Sequence, residues 1–302
     1  MLSHFLDGKE MTPERLGHLL TLAEELKAER ANGVVRNELQ GKTLALVFDK
    51  PSLRTRMSFT MAMTELGGHV IEVPAHLRKH EEPEDLAGVM SRYAHAIMIR
   101  THAHEGLDRF VSRSIVPVMN GLTDEHHPCQ ALADILTIKQ AFQKTEGLVL
   151  TYIGDGNNIL HSLMILAPMA GIHLQFATPA AYKPDPKLLQ WCQERVGVTG
   201  TVTAFETPEA AVAGANALYT DVWTSMGFES ENEERIKAFS GYQVNKALYL
   251  KAAPEAIVMH CMPMVKEQEI TTEMADHERS FIYQQAENRL HVQKALLWEL
   301  LR

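Results

Sequence analysis

The feature that most constrains this chain is an alternation. Short apolar runs, each too brief to make a globular helix, are separated by stretches with helical spacing. In the first half the runs are Thr43–Phe48, His69–Val73, Ala96–Arg100 and Ser114–Met119. A second series follows Gly147, with Leu148–Ile153, His173–Ala177, Ala217–Asp221 and Ala256–His260. Runs that are apolar throughout, rather than every second residue, read as parallel strands buried on both faces. The spacing predicts helices over Thr12–Glu29, Asp85–Ala94, Pro128–Phe142, Ile159–Met169, Lys187–Val196 and Arg289–Leu301. Two such series imply an α/β protein of two domains, each a mainly parallel sheet flanked by helices, with Pro128–Phe142 as the bridge. A length of 302 residues suits that number of domains.

One turn within the first series carries chemistry. Phe48 ends a strand, and Met57, Phe59, Met61, Met63 and Leu66 follow a helical pattern that stops at Gly67-Gly68. Ser52–Arg56 therefore joins a strand's carboxyl end to a helix's amino end. Unpaired backbone N–H groups and the positive end of the helix dipole meet there, a setting that suits an anion. The turn adds the hydroxyls of Ser52 and Thr55 and the guanidiniums of Arg54 and Arg56. A lone Ser-x-Arg would read as a capped helix with solvated arginines. Two hydroxyls and two guanidiniums in one turn favour phosphate binding, without the Gly-rich loop or lysine of a P-loop.

Other classes are disfavoured. A formal net charge of −9 with no evident basic face argues against nucleic acid. No apolar run approaches the ~20 residues that span a bilayer, and Met1–Asp7 has neither a basic nor an apolar export region. Three widely spaced cysteines, Cys129, Cys192 and Cys261, point to a reducing compartment, so a cytoplasmic location is expected. Gly154-Asp155-Gly156-Asn157-Asn158-Ile159 after a strand invites a dinucleotide reading, but its third glycine position is Ile159 and no acidic residue closes the next strand. Asn157 reads as a turn former. Among 15 histidines, only His102-x-His104 and Asp124-x-His126 form close pairs, and neither extends to a ligand set. His260 and Cys261 are strand neighbours and should face opposite ways, so no metal is expected there. Arg54, Arg100, His127, Asn158, Asp221 and Cys261 all fall at strand carboxyl ends, where such sheets bind ligands, and one shared cleft is the expectation.

Five stretches, in order over nearly the whole chain, carry a family likeness. They are Ser52-Leu53-Arg54-Thr55-Arg56, His127-Pro128-Cys129-Gln130-Ala131-Leu132-Ala133-Asp134, Asp221-Val222-Trp223-Thr224-Ser225-Met226-Gly227, His260-Cys261-Met262-Pro263 and Ala286-Glu287-Asn288-Arg289. The chain resembles the carbamoyltransferases and, within them, the ornithine carbamoyltransferase family. The resemblance implies transfer of a carbamoyl group from carbamoyl phosphate to the side-chain amine of L-ornithine, giving L-citrulline and phosphate, in arginine metabolism. It implies no metal and no cofactor, and a homotrimer or a multiple of trimers. It divides the chain into a carbamoyl-phosphate-binding domain, 1–142 plus 286–302, and an ornithine-binding domain, 143–285, with the last helix returning to the first domain.

By the same resemblance, Ser52, Leu53, Arg54 and Thr55 would hold the phosphate, largely through backbone amides. The family usually has Thr where this chain has Leu53, so a hydroxyl contact is lost there. Arg100, His127 and Thr55 would surround the carbonyl oxygen as an oxyanion hole, Gln130 would read the carbamoyl NH2, and Arg289 would face the same substrate. Asn158, Asp221, Ser225 and Met226 would bind the amino-acid part of ornithine, with Cys261 near the attacking amine. His76, in His76-Leu77-Arg78-Lys79, would reach the phosphate site of a neighbouring subunit, although His80-Glu81-Glu82-Pro83 departs from the family's usual sequence. The alternatives are a sister transferase with another amine acceptor and a non-catalytic relative that binds carbamoyl phosphate.

Overall fold

The computed structural model describes residues 3–74, 81–225 and 229–302. Two compact units divide the chain, Met1–Ala133 with Glu287–Arg302, and Asp134–Ala286. The borders fall inside two helices, α5 and α12 below.

The first unit runs α1 (Pro13–Ala31), β1 (Thr43–Phe48), α2 (Leu53–Glu65), β2 (His69–Pro74), α3 (Pro83–Met90), β3 (Ala96–Arg100), α4 (His104–Val111), β4 (Val118–Leu122) and the start of α5 (Pro128–Phe142). Its four strands pair in parallel in the order β2-β1-β3-β4. Helix α1 forms where the sequence predicts it, with Thr12 accepting from the Arg15 amide at 3.2 Å and Pro13 in the first turn. It buries Leu16, Leu19, Leu20, Ala23 and Leu26, the leucines worth about 1.5–3 kcal/mol apiece. Of the apolar set expected at α2, Phe59, Met63 and the capping Leu66 turn inward, with Ala62; Met57 and Met61, like Leu53, are exposed, so the expected stripe has two faces.

The second unit completes α5 and continues with β5 (Val149–Ile153), α6 (Asn158–Leu166), β6 (His173–Ala177), α7 (Pro186–Glu194), β7 (Val202–Phe205), α8 (Pro208–Val212), β8 (Ala217–Thr220), α9 (Asn232–Ala238), α10 (Lys246–Tyr249), β9 (Ile257–His260), α11 (Thr272–Ala275) and α12 (Ile282–Leu301), whose second part belongs to the first unit. Its sheet is also wholly parallel, in the order β7-β6-β5-β8-β9. Ile153, Leu218, Val258, Ile270 and Met274 share its core.

Two sequence expectations are corrected. The strand expected at Ser114–Met119 lies at Val118–Leu122. Asn120-Gly121 sits inside it: Asn120 donates from Nδ2 to the Leu6 carbonyl at 2.8 Å, and a Cβ on Gly121 would meet Met98 Sδ at 2.3 Å. The glycine is there for packing. Helix α12 starts at Ile282 rather than at Arg289, because its polar first turns are paired: Gln285 donates to Asp134 at 2.7 Å and Gln284 to Gln140 at 2.9 Å. Helix α4 and strand β7, too short and too mixed in pattern to stand out, add to the expected set.

Among the described residues no helix is long and apolar enough to cross a membrane.

Candidate active site

In the first unit, the ends of three parallel strands and two helices build one positively charged site. Ser52 caps α2 in extended conformation and its Oγ accepts from the Thr55 amide at 3.3 Å, so Leu53, Arg54 and Thr55 form the helix's first turn. The amides of such a turn have no partner within the helix. Thr55 is fully buried, and its Oγ1 accepts from Arg289 Nη2 at 2.6 Å. Arg289 comes from the part of α12 that belongs to this unit and is 2 % exposed. Arg100, the last residue of β3, is 5 % exposed. Burial, then the neighbouring Arg289 and Arg54 guanidiniums, lower its pKa to about 9, which leaves it charged at neutral pH.

His127 lies beside the same three arginines. Its backbone carbonyl accepts from the Gln130 and Ala131 amides at 3.1 and 3.3 Å, which starts α5. Its imidazole is buried, and burial together with Arg289, Arg100 and Arg54 holds its pKa well below the usual histidine range. At neutral pH it is therefore a neutral ring, a hydrogen-bond donor that carries no charge of its own. Gln130, in the first turn of α5, is fully buried. Neighbouring Cys129 is structural: burial pushes its thiol up to about 12, and it donates to the Asn120 carbonyl at 3.5 Å.

Arg56 departs from the expected anion-binding turn. It pairs with Glu72 of β2 through two bonds of 2.7 and 2.8 Å and lies over the Phe48 ring. Lys50, not singled out by the sequence, is 6 % exposed and paired with Asp124, which joins the segment after β1 to the segment after β4. The pairs His102-x-His104 and Asp124-x-His126 lie side by side. The Asp124 amide donates to the His102 carbonyl at 2.8 Å, and His104 and His126 meet edge to face. His76 lies outside the described residues.

In the second unit the chemistry centres on a carboxylate. Asp221 follows β8 and is 6 % exposed. Its Oδ1 accepts from the Val222 amide at 2.8 Å and from the Cys261 thiol at 2.9 Å; its Oδ2 accepts from Asn157 Nδ2 at 2.8 Å. None of these donors is a cation. Burial and then Asp221 push the Cys261 pKa well above the usual thiol range, so Cys261 is a protonated donor rather than a thiolate. Tyr152 and Tyr219, both fully buried with ring centroids 5.7 Å apart, back this group. Asn158 is the first residue of α6 and half-buried; Ser225 is half-buried; Met226 lies outside the described residues.

The loops around this carboxylate are fixed. Arg235 of α9 pairs with Asp155 at 2.8 Å and with Glu231 at 2.9 Å, donates to the Trp223 carbonyl at 3.0 Å, and lies over Tyr182. A Cβ on Gly156 would come within 2.3 Å of Pro184 N, so the second glycine of Gly154-Asp155-Gly156 serves close backbone packing.

Asp221, His260 and Cys261 form the one set among the described residues whose possible metal-ligand atoms lie within 4.8 Å of one another. Their convergence corrects the expectation that His260 and Cys261 face opposite ways: β9 ends at His260, and the chain turns through Met262 at a positive φ of 57°. Both His260 ring nitrogens are engaged, Nδ1 by the Met262 amide at 2.8 Å and Nε2 by buried Glu269 at 3.0 Å. That leaves two ligands, fewer than a structural metal site uses.

Comparison with known proteins is consistent over the whole length. Residues 3–140 match the profile of the aspartate/ornithine carbamoyltransferase carbamoyl-P binding domain, and residues 146–300 match that of the Asp/Orn binding domain. An ornithine carbamoyltransferase of Anoxybacillus flavithermus is 44% identical over 301 residues, covering 98% of this chain and 96% of that protein. One from Methanocorpusculum labreanum is 43% identical, covering 100% and 99%. Among solved structures, the ornithine carbamoyltransferase from Pyrococcus furiosus superposes with a TM-score of 0.96 at 42% identity, covering 99% of this chain and 97% of that one. That from Thermus thermophilus gives 0.90 at 41% identity, with full coverage of both.

Proposed function

The chain belongs to the aspartate/ornithine carbamoyltransferase family, and from that premise we propose that it transfers the carbamoyl group of carbamoyl phosphate to the side-chain amine of L-ornithine, yielding L-citrulline and phosphate. The observation that carries the reading is the group in the first unit: buried Arg100 and Arg289, with Arg54, around a neutral imidazole beside a helix amino end. Like charges gathered out of water repel one another, so a bound anion relieves the site. A phosphorylated carbonyl uses all of it.

In this reading Ser52, Leu53, Arg54 and Thr55 hold the phosphate. Arg100, His127 and Thr55 donate to the carbonyl oxygen, Gln130 binds the NH2, and Arg289 orients both Thr55 and the substrate. Charge grows on the carbonyl oxygen as the amine attacks, and prearranged donors stabilise it; losing one such donor typically costs roughly 2.7–4 kcal/mol. The new C–N bond forms as the C–O bond to phosphate breaks. The attacking amine must be neutral, whereas free lysine-like amines are mostly protonated near pH 7, and the departing phosphate is the proton acceptor. His127 stays neutral and donates, so no side chain is assigned as base.

Asp221, with three neutral donors and no cationic partner among them, suits the α-ammonium of ornithine. Asn158, Ser225 and Met226 complete the amino-acid site, and Cys261 stands near the amine. An aspartate acceptor would call for cations to meet a second carboxylate, and putrescine would leave Asp221 without its role. Residues 1–142 with 286–302 are the carbamoyl-phosphate half and 143–285 the ornithine half.

The enzyme is also read as a cytoplasmic homotrimer, or a multiple of trimers, in arginine metabolism. An exposed apolar row on α2 at helical spacing, Leu53 at 67 %, Met57 at 57 % and Met61, supports burial against another copy, as does exposed Ile71 on the edge strand β2. If His76 completes a neighbour's site, mixing inactive Arg54→Ala and His76→Ala subunits restores part of the activity; hybrids that stay inactive would reject sharing.

A colorimetric citrulline assay on purified protein tests the central reading. Citrulline and phosphate are expected in equal amounts from carbamoyl phosphate and ornithine. Product from another amine but not from ornithine would overturn the acceptor, and no product from any amine would overturn the transfer.

A further inference from the structure

Asn157 reads from sequence as a turn former, and its neighbour Asn158 as the ligand. The geometry gives Asn157 a second task. Its Oδ1 accepts from the Ile159 and Leu160 amides at 3.1 and 3.3 Å, capping α6, and from the Tyr152 hydroxyl at 3.3 Å. These are donors, so the amide can face them only with its oxygen, and Nδ2 necessarily points the other way. There it donates to Asp221 Oδ2 at 2.8 Å. The other carboxylate oxygen is held by the Val222 amide and the Cys261 thiol. Donors from three places in the sheet, the start of α6 and the ends of β8 and β9, thus hold both oxygens of one buried carboxylate. A carboxylate offers about four lone-pair sites, and three donors leave room for one ammonium hydrogen.

We infer that Asn157 is a positioning residue: it couples the start of α6 to Asp221 and sets the carboxylate plane before an amino-acid ammonium arrives. The inference rests on the ammonium-binding role of Asp221 proposed above. Holding the carboxylate in place reduces the ordering cost of binding, so the effect belongs to ornithine affinity and not to carbamoyl phosphate.

The plainer account, that Asn157 only caps a helix, is separable. Serine is an equally good cap, but its hydroxyl is too short to bridge to Asp221 as well. Asn157→Ser should keep the melting temperature of the wild type while raising KM for ornithine about tenfold or more, the loss expected for a hydrogen bond to a charged group. KM for carbamoyl phosphate should stay within about twofold. Asn157→Ala, which loses both tasks, should show the same KM change together with a lowered melting temperature. An ornithine KM in Asn157→Ser within about twofold of wild type, or a rise in both KM values together, would overturn the inference. Calorimetric titration of ornithine gives the same comparison without turnover. Wild type that binds ornithine but makes no citrulline would defeat the transfer reading, while the two dissociation constants would still decide the role of Asn157.

Discussion

The two units solve opposite electrostatic problems. The first gathers like charges: Arg100 and Arg289, nearly buried, act with Arg54 on each other and on His127, and the cost shows as lowered pKa values on Arg100 and His127. The second isolates a single charge, surrounding Asp221 with an amide, a thiol and a backbone N–H, all neutral. Repulsion in the first makes it weak without an anion. In the second, neutral donors fix the carboxylate without a cation among them, which suits the ammonium-binding role proposed for it. The contrast is what a reaction between an anionic phosphate and a cationic amino acid requires.

The sharpest way to break the contrast is to remove one member of each set. Arg100→Ala should lower kcat/KM by about 10²–10³-fold, as expected when an oxyanion donor is lost, with little change in KM for ornithine; steady-state kinetics reads both. Asp221→Asn should raise KM for ornithine by roughly 30-fold or more, the lower range for truncating one partner of a close charge pair, and leave carbamoyl phosphate binding intact. If both variants damage both substrates alike, the division of labour is wrong.

Acidity sharpens the comparison from the stability side. The folded pKa of His127 is depressed, so as pH falls below the ordinary value of 6.5 the unfolded chain takes up the proton first. Its stabilising contribution is therefore complete above that value and is lost as pH drops, by at most ~1.4 kcal/mol per pH unit for one proton. His4 and His291 shift in the same direction, so the diagnostic is the difference: His127→Asn should lose stability less steeply between pH 7 and 5 in chemical denaturation, and equal slopes would contradict a neutral His127.

Smaller effects are expected where the two sets end. Cys261→Ser keeps a donor to Asp221, so ornithine KM should rise only a few-fold, and thiol reagents at neutral pH should react slowly with a protonated, buried Cys261; rapid labelling would overturn its assignment as a donor. Arg56→Ala should matter least. It breaks a half-exposed pair with Glu72, for which about 0–1 kcal/mol of stability is typical, and citrulline formation should stay within about twofold. A large activity loss would return Arg56 to the anion site.

Much of this was legible in the sequence because burial on both faces leaves unbroken apolar runs. Thr43–Phe48, Ala96–Arg100, His173–Ala177 and the helix Pro128–Phe142 form with the bounds their patterns suggest. The failures have physical causes. The fourth strand lies at Val118–Leu122 rather than at Ser114–Met119, with Gly121 packed against Met98 and Asn120 Nδ2 donating to the Leu6 carbonyl. The start of α12 looks solvated because its partners, Asp134 and Gln140, lie 151 and 144 residues away. Within the site, arginines at strand ends were visible, yet nothing local says that Arg56 turns to Glu72 while Arg54 lies close enough to Arg100 to lower its pKa. Asn157 shows the same limit: a cap is a local signal, whereas its bond to Asp221 spans 64 residues.

The most direct test of the charge division is calorimetric titration of carbamoyl phosphate into wild type, Arg54→Ala and Asp221→Asn. Binding should be lost or greatly weakened in Arg54→Ala and unchanged in Asp221→Asn. Wild-type affinity in Arg54→Ala, or its loss in Asp221→Asn, would contradict the account.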